Sequence, residues 1–206
     1  MGYPHRKRER SLYRKGARLI AGLDEAGRGA WAGPIVAAAV ILPPKLRLKG
    51  VRDSKLLRAP IRRQLYEQII AAAFGWAVGV VSEQYIDQHG LQAANLHAMT
   101  KALHELEPQP DYLLIDALEL EGIGIPQEAI IDGDYKIFSI AAASIVAKVT
   151  RDTIMEKLSL EYPAYGFSSH KGYGTNHHYQ MLVEHGACPI HRRSFEPVKF
   201  FLTAQK

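Results

Sequence analysis

The chain has 206 residues, 47% hydrophobic and 23% charged, with a formal net charge of +5 and one cysteine, Cys188. That length suits one domain, or one domain with a small appendage, and is enough to bury a substantial core. The longest uncharged apolar stretch, residues 30–44, is too short to span a bilayer and is broken at Gly33 and Pro34. No apolar run follows the basic N-terminus as a secretion signal would need, and a lone cysteine cannot pair internally, so a cytoplasmic protein is expected.

Residues 1–18 carry seven Lys or Arg against a single acid, Glu9, which leaves the remainder near neutral. Residues 1–17 read as a basic N-terminal arm that either contacts phosphates or is a disordered solubilising tail. The apolar run 19–23 then delivers two adjacent carboxylates, Asp24 and Glu25, into the turn Ala26-Gly27-Arg28-Gly29. Side chains alternate faces along a strand, so the strand is predicted to end at Asp24 with Glu25 already in the turn. Adjacent acids followed by glycines fit a metal at a strand terminus, where exposed backbone N–H groups approach a ligand closely. A solvated acidic turn is the competing reading of those residues alone.

Residues 35–42 form a fully apolar run that fits a strand covered on both faces. Residues 45–63 hold eight basic residues and one acid, Asp53, whereas residues 105–134 hold nine acids and no Lys or Arg. A basic rim beside an acidic centre suits a cation-dependent enzyme acting on a polyphosphate. The segment Asp53-Ser54-Lys55 opens the basic stretch, and Pro60 begins a helix to about residue 73. A strand is predicted over 74–81, a short helix from Ser82 closed by Gly90, and a longer helix over 91–106 with Leu96, Met99, Leu103 and Leu106 on one stripe. Residues 111–116 form another strand ending in a carboxylate, Asp116; adjacent strands that both end in Asp would set their carboxylates side by side, where ligands gather in open α/β sheets.

A short strand near Ile130 and a turn at Asp132-Gly133-Asp134 lead into a long helix running to about residue 162, with Asp134 favoured by the positive end of its dipole. From residue 163 the chain is polar, aromatic and glycine-rich. Thr175 can cap a helix to about His185, and Lys171 and Tyr173 between glycines suit a loop laid against a nucleic-acid backbone. The histidines His170, His177, His178, His185 and His191 come without a CxxC or HExxH pattern, which gives no zinc signature.

Taken together, Leu23-Asp-Glu-Ala-Gly-Arg-Gly29, Gly33-Pro-Ile-Val-Ala-Ala-Ala-Val40, Asp53-Ser-Lys55, Ile115-Asp116, Gly133-Asp134, Ala141-Ala-Ala-Ser-Ile-Val-Ala-Lys148, Lys171-Gly-Tyr-Gly-Thr175 and Arg193-Ser-Phe195 resemble bacterial ribonuclease HII, in order and along nearly the whole chain. The resemblance implies an α/β protein of RNase H-like fold, a central mixed sheet flanked by helices over residues 18–162, and a small helical C-terminal extension over 163–206 that holds substrate. It also implies an endoribonuclease that hydrolyses the RNA strand of RNA–DNA hybrids and cuts 5′ of ribonucleotides embedded in duplex DNA, leaving 3′-hydroxyl and 5′-phosphate ends. The family's four metal-binding acids fall on Asp24, Glu25, Asp116 and Asp134. Gly27, Arg28 and Gly29 would meet the 2′-hydroxyl through their backbone, Tyr173 would touch the same hydroxyl, and Lys55 would contact a phosphate. Ala30-Trp31 stands where many relatives carry Pro-Leu, and the basic arm is not a general family feature.

Attack on a phosphodiester brings two anions together, and two divalent ions about 3.5–4 Å apart could activate water and stabilise the leaving oxygen. The expected cofactor is Mg2+ or Mn2+, held by hard carboxylate oxygens, in a monomer acting on hybrid and ribonucleotide-containing duplexes with no membrane association. Four crowded acids also predict at least one raised carboxylate pKa without metal. A different metal-dependent nuclease or integrase of the same fold would share the acids but lack the ribose-reading loops. A non-catalytic nucleic-acid binder would explain the basic arm but not the strand-end acids.

Overall fold

In the computed structural model, which describes residues 4–203, five strands form one mixed sheet in the order β3-β2-β1-β4-β5. The strands are β1 (Ile20–Ala26), β2 (Ile35–Ile41), β3 (Gly75–Val81), β4 (Tyr112–Asp116) and β5 (Gln127–Ile130). β1, β2 and β3 pair antiparallel, whereas β1, β4 and β5 run parallel. Every residue of β2 is buried, as expected of an apolar run in the middle of a sheet covered on both faces.

Two helical layers cover the sheet. On one face α4 (Leu91–His104) packs Ala98, Met99, Ala102 and Leu103 against Leu23, Ala37, Ala39 and Ile115. On the other lies α6 (Phe138–Glu161), whose run Ser139-Ile-Ala-Ala-Ala-Ser-Ile-Val-Ala147 is wholly buried. The approach of α6 is set by Gly22, because a Cβ there would lie 2.2 Å from the Ser139 carbonyl carbon. The remaining helices of this part are α2 (Ala59–Ala72), α3 (Glu83–His89) and the single turn α5 (Gly133–Lys136). As predicted, Pro60 sits in the first turn of α2, and the Ser82 hydroxyl accepts from the Tyr85 N–H at the start of α3.

The basic arm is a departure from a disordered tail. Residues 7–14 form a helix, α1 (Lys7–Arg14), with Leu12 buried against Ile20, Leu114, Ile137 and Ile140. Buried Glu9 caps α6: its Oε1 accepts from the Ser139 N–H at 3.1 Å and from the Ser139 hydroxyl at 3.2 Å. The first turn of a helix has N–H groups without intrahelical partners, so a carboxylate there is well placed. The His5 N–H donates to the Lys136 carbonyl at 3.0 Å, and Arg8 Nε donates to Glu128 Oε2 at 2.6 Å. Residues 1–3 lie outside the described residues.

The C-terminal part contains α7 (Phe167–His170), α8 (Asn176–His185) and α9 (Val198–Thr203). In it Tyr165, Phe167, Cys188 and Ile190 form a small apolar cluster with Ala32 and Met155 of the sheet-bearing part.

Candidate active site

Strand pairing brings the first two acids together. Leu23 pairs with Ile115 in parallel, so the next residues, Asp24 and Asp116, lie side by side on neighbouring strands whose axes are roughly 4.8 Å apart, with Asp116 the last residue of β4. β1 does not stop at Asp24 as the alternation argument required. It continues to Ala26, because Asp24, Glu25 and Ala26 keep their antiparallel partners Ala38, Ala37 and Val36. Asp24 therefore shares the α6 face with Gly22 and Ala26, while Glu25 shares the α4 face with Leu23 and lies beside the wholly buried Asn95. The two adjacent acids straddle the end of the sheet.

Asp134 arrives from the turn before α6. Its neighbour Gly133 donates its N–H to Asp116 Oδ1 at 2.7 Å, which ties the α5 turn to the end of β4. Lys55 Nζ lies 3.5 Å from Asp134 Oδ2. Two of the left-handed residues other than glycine flank these acids, Ala117 at φ 55° and Asp132 at φ 56°, a conformation that side chains adopt at some cost and that concentrates at functional positions.

All four carboxyls are held above the ordinary range. For Asp24 burial is the main cause, reinforced by Glu25, Asp116 and Asp134 and opposed by the Glu25 N–H it accepts from. Glu25 is raised by burial and by Asp116, against the opposing Arg28. Burial also raises Asp116, against the Gly133 hydrogen bond and Lys55, and raises Asp134, where Asp53 and Asp116 add to it and Lys55 opposes. Lys55 shifts upward although burial opposes it, because Asp134, Asp53 and Asp24 favour its charged form.

A divalent cation fits the chemistry of this donor set. The donors are hard oxygens, and Glu25 Oε2 is buried with no hydrogen-bond partner among the described residues. Among the described residues no three His, Cys, Asp or Glu side chains are gathered in finished metal-ligand geometry. The acids are near enough to raise one another's pKa but are not closed on one point, as expected of like charges with Asp116 and Asp134 drawn to Gly133 and Lys55.

The glycine loop and the Tyr173 loop form one stitched unit. Ala30 bridges Tyr173 in antiparallel fashion, and the Trp31 N–H donates to the Gly172 carbonyl at 2.8 Å. Trp31 lies where a Cβ on Gly174 would stand, and its ring centroid is 5.3 Å from that of His178, which accounts for a large side chain at this position. Gly27 has φ +100° and a Cβ there would strike Arg151, whereas a Cβ on Gly29 would meet nothing. Arg28 reaches back to Glu25 at 3.5 Å. The Tyr173 ring is flanked by Lys148 at 5.0 Å and Arg151 at 5.1 Å from its centroid.

The residues that organise these loops were not singled out from sequence. Arg151 and Arg192 are fully buried cations with no carboxylate partner among the described residues. Arg151 donates to the carbonyls of Ala32, Pro34 and Lys171, and Arg192 to those of Arg28, Gly33 and Pro34, all at 2.8–3.2 Å. Burial lowers both guanidinium pKa values, that of Arg192 to about 9. A second buried network holds the Tyr173 carbonyl. Since the Cys188 N–H can only donate to His191 Nδ1 (2.9 Å), the His191 proton is on Nε2 and points to His178 Nε2 (3.0 Å). His178 then carries its proton on Nδ1 and gives it to the Tyr173 carbonyl at 3.0 Å. Burial holds both rings neutral, at about 4.

The same architecture occurs in the ribonuclease H2 of Pyrococcus horikoshii OT3, with a TM-score of 0.78 and 28% identity over 91% of this chain and 98% of that one. Bst-RNase HIII, solved in complex with Mn2+, shares the fold at 21% identity with a TM-score of 0.67, over 95% of this chain and 73% of that one. Sheet order and these likenesses define a protein of ribonuclease H-like fold. The family model described as Ribonuclease HII matches residues 21–198. The Ribonuclease HII of Dehalococcoides mccartyi is 50% identical over 199 residues, covering 95% of this chain and 94% of the relative. The chain thus belongs to the ribonuclease HII family, whose members are metal-dependent endoribonucleases acting on RNA–DNA hybrids. No helix among the described residues is long and apolar enough to cross a membrane.

Proposed function

We propose that this ribonuclease H hydrolyses the RNA strand of hybrids and also cuts 5′ of single ribonucleotides in duplex DNA, leaving a 3′-hydroxyl and a 5′-phosphate. Asp24, Glu25, Asp116 and Asp134 would hold Mg2+ or Mn2+, and the enzyme would work as a cytoplasmic monomer. The observation that carries this reading is that Asp24 and Asp116 directly follow the paired residues Leu23 and Ile115 of adjacent parallel strands, with Asp134 tied to Asp116 through Gly133. When bound, divalent ions would supply the charge that activates water and neutralises the leaving 3′-oxygen.

The protein's own residues do the rest. Burial and mutual repulsion leave the acids short of positive charge, so they favour a cation over protons once pH is high enough. Lys55, mostly exposed and beside Asp134, is placed to hold a phosphate next to the acids. Gly27, Arg28 and Gly29 lie on a loop whose carbonyls are locked by Arg151 and Arg192. Gly29 leaves open space where a side chain would obstruct a sugar. Tyr173, hydrogen-bonded through its backbone to His178, would read the 2′-hydroxyl, the atom that separates RNA from DNA. A groove of about 860 Å³ lies beside Tyr173, lined by Arg63, Lys148 and Lys171 together with the acids Asp152 and Glu156 that they pair with, and it is open to a duplex passing Tyr173.

The test is cleavage of a labelled DNA duplex holding one ribonucleotide, with and without Mg2+ or Mn2+. Cutting on its 5′ side only with metal supports the proposal. Cutting of an all-DNA duplex, or binding without cutting, favours the nuclease/integrase or the non-catalytic reading. Asp116→Asn should abolish cleavage while hybrid binding persists, and retained turnover would reject the role given to Asp116. Tyr173→Ala should slow junction cleavage; unchanged rates on junction and all-RNA hybrid substrates would reject Tyr173 as a ribose reader.

A further inference from the structure

A second basic concavity lies apart from the groove beside Tyr173. It measures about 970 Å³ and is lined by Arg6, Lys7, Arg10, Arg14, Lys45 and Arg47, with Tyr13, Pro44 and Leu46 as its uncharged wall and no acid among its lining residues. The two concavities differ in how their charge is used. In the groove beside Tyr173 the cations are largely spent on structure: Arg62 and Lys148 pair with Asp152, and Arg63 and Lys171 with Glu156. Around the second, none of Lys7, Arg10, Arg14, Lys45 and Arg47 lies within ion-pairing distance of a carboxylate among the described residues. Five cations left unneutralised around one hollow repel one another, and a polyanion relieves that repulsion.

The hollow is also built rather than incidental. Arg6 donates Nη1 to the carbonyls of Pro43 at 2.8 Å and Pro44 at 3.0 Å, and its guanidinium lies 4.3 Å from the Phe138 ring centroid, which fixes α1 against the loop after β2. From there the chain passes through Lys45, Arg47, Lys49 and Arg52 to Lys55 at Asp134, while α1 is bonded through His5 to the α5 turn that carries Asp134. The segment that leaves the hollow thus carries four cations and one acid, Asp53, before it reaches Lys55 beside Asp134.

We infer that this α1 and 45–47 hollow is a second nucleic-acid site, binding backbone phosphates of the duplex outside the catalytic groove. The site extends the proposed function, since it assumes that the substrate is a duplex longer than the groove. It reads charge rather than sequence, because the five unpaired cations have no ion-pair partner among the described residues to orient them toward a base.

The test uses Arg10→Gln, Arg14→Gln, Lys45→Gln and Arg47→Gln combined; all four side chains are exposed and none belongs to the catalytic machinery. Binding is read by fluorescence anisotropy on ribonucleotide-free DNA duplexes of about 10 and 30 base pairs across about 50 to 200 mM salt. On the long duplex the variant should lose at least about tenfold in affinity, and its salt slope should fall by about 0.9 for each phosphate no longer neutralised. The short duplex should bind as it does to wild type. A long-duplex affinity and slope equal to wild type would overturn the inference, as would unchanged duplex binding with lost binding to vesicles of anionic phospholipid. Because no ribonucleotide is involved, failure of the cleavage proposal would show separately, as intact binding with no cutting of the single-ribonucleotide duplex by wild type.

Discussion

Acidification should loosen the enzyme through His178 and His191. Both are buried, and both must stay neutral for the chain of hydrogen bonds from the Cys188 N–H to the Tyr173 carbonyl to exist. A second proton on either ring would face N–H against N–H or oppose the Cys188 N–H. With folded values near 4 against an ordinary 6.5, the unfolded chain binds protons first as pH falls. The stability these rings contribute is therefore complete above about pH 6.5 and declines toward pH 4, at about 1.4 kcal/mol per pH unit per ring. Between about pH 7 and 4.5 one ring accounts for roughly 2–3 kcal/mol. The buried carboxyls act in the opposite sense, because raised folded values favour folding at low pH and that contribution is lost as pH rises through them. Comparison with a variant cancels them. Urea unfolding followed by fluorescence should show His191→Gln weaker than wild type at neutral pH, because the Cys188 N–H is left without its acceptor, but losing roughly 2–3 kcal/mol less than wild type on acidification. Parallel pH profiles for the two proteins would refute the neutral-pair argument.

Three further outcomes follow from the geometry. Arg192→Lys leaves one ammonium where three carbonyls were served and should cost about 2–4 kcal/mol in chemical denaturation, with junction cleavage impaired more than hybrid binding. Gly22→Ala forces a methyl into the Ser139 backbone and should cost about 3 kcal/mol or more, read as a lower thermal midpoint together with lost activity from displacement of Asp24. Mg2+ or Mn2+ should raise the thermal midpoint of wild type but not of Asp116→Asn, and calorimetry in buffers of different ionisation heat should detect proton release. Apparent metal affinity should climb with pH until the raised carboxyl values are passed.

The sheet and its acids were legible because they rest on local pattern. Two short apolar runs each ending in Asp predict neighbouring strand ends, and residues 35–42 could hardly be anything but a central strand. The end of β1 was misjudged for an equally physical reason: alternation forbids two adjacent acids from sharing a face, but at the end of this central strand they can point to opposite faces and still lie close together. Asn95 sat unnoticed on a helix stripe, since nothing local shows that it abuts Glu25. Arg151 and Arg192 were invisible because a charged residue is read as solvent-facing, and only folding shows five backbone carbonyls, Pro34 shared by both, waiting for them. One signal existed for Arg151, which falls four residues after Ala147 and four before Met155 on one helical stripe. In α1 the inward residues are few, Glu9 and Leu12, so composition dominated by Arg and Lys hid a docked helix.

Glu9 gives that helix a reach beyond its position in the chain. By closing the start of α6 a few residues after Asp134, it makes the N-terminal border of the protein part of the support beneath a candidate metal ligand. Trimming those residues to tidy an expression boundary would alter the enzyme at its centre rather than at its edge.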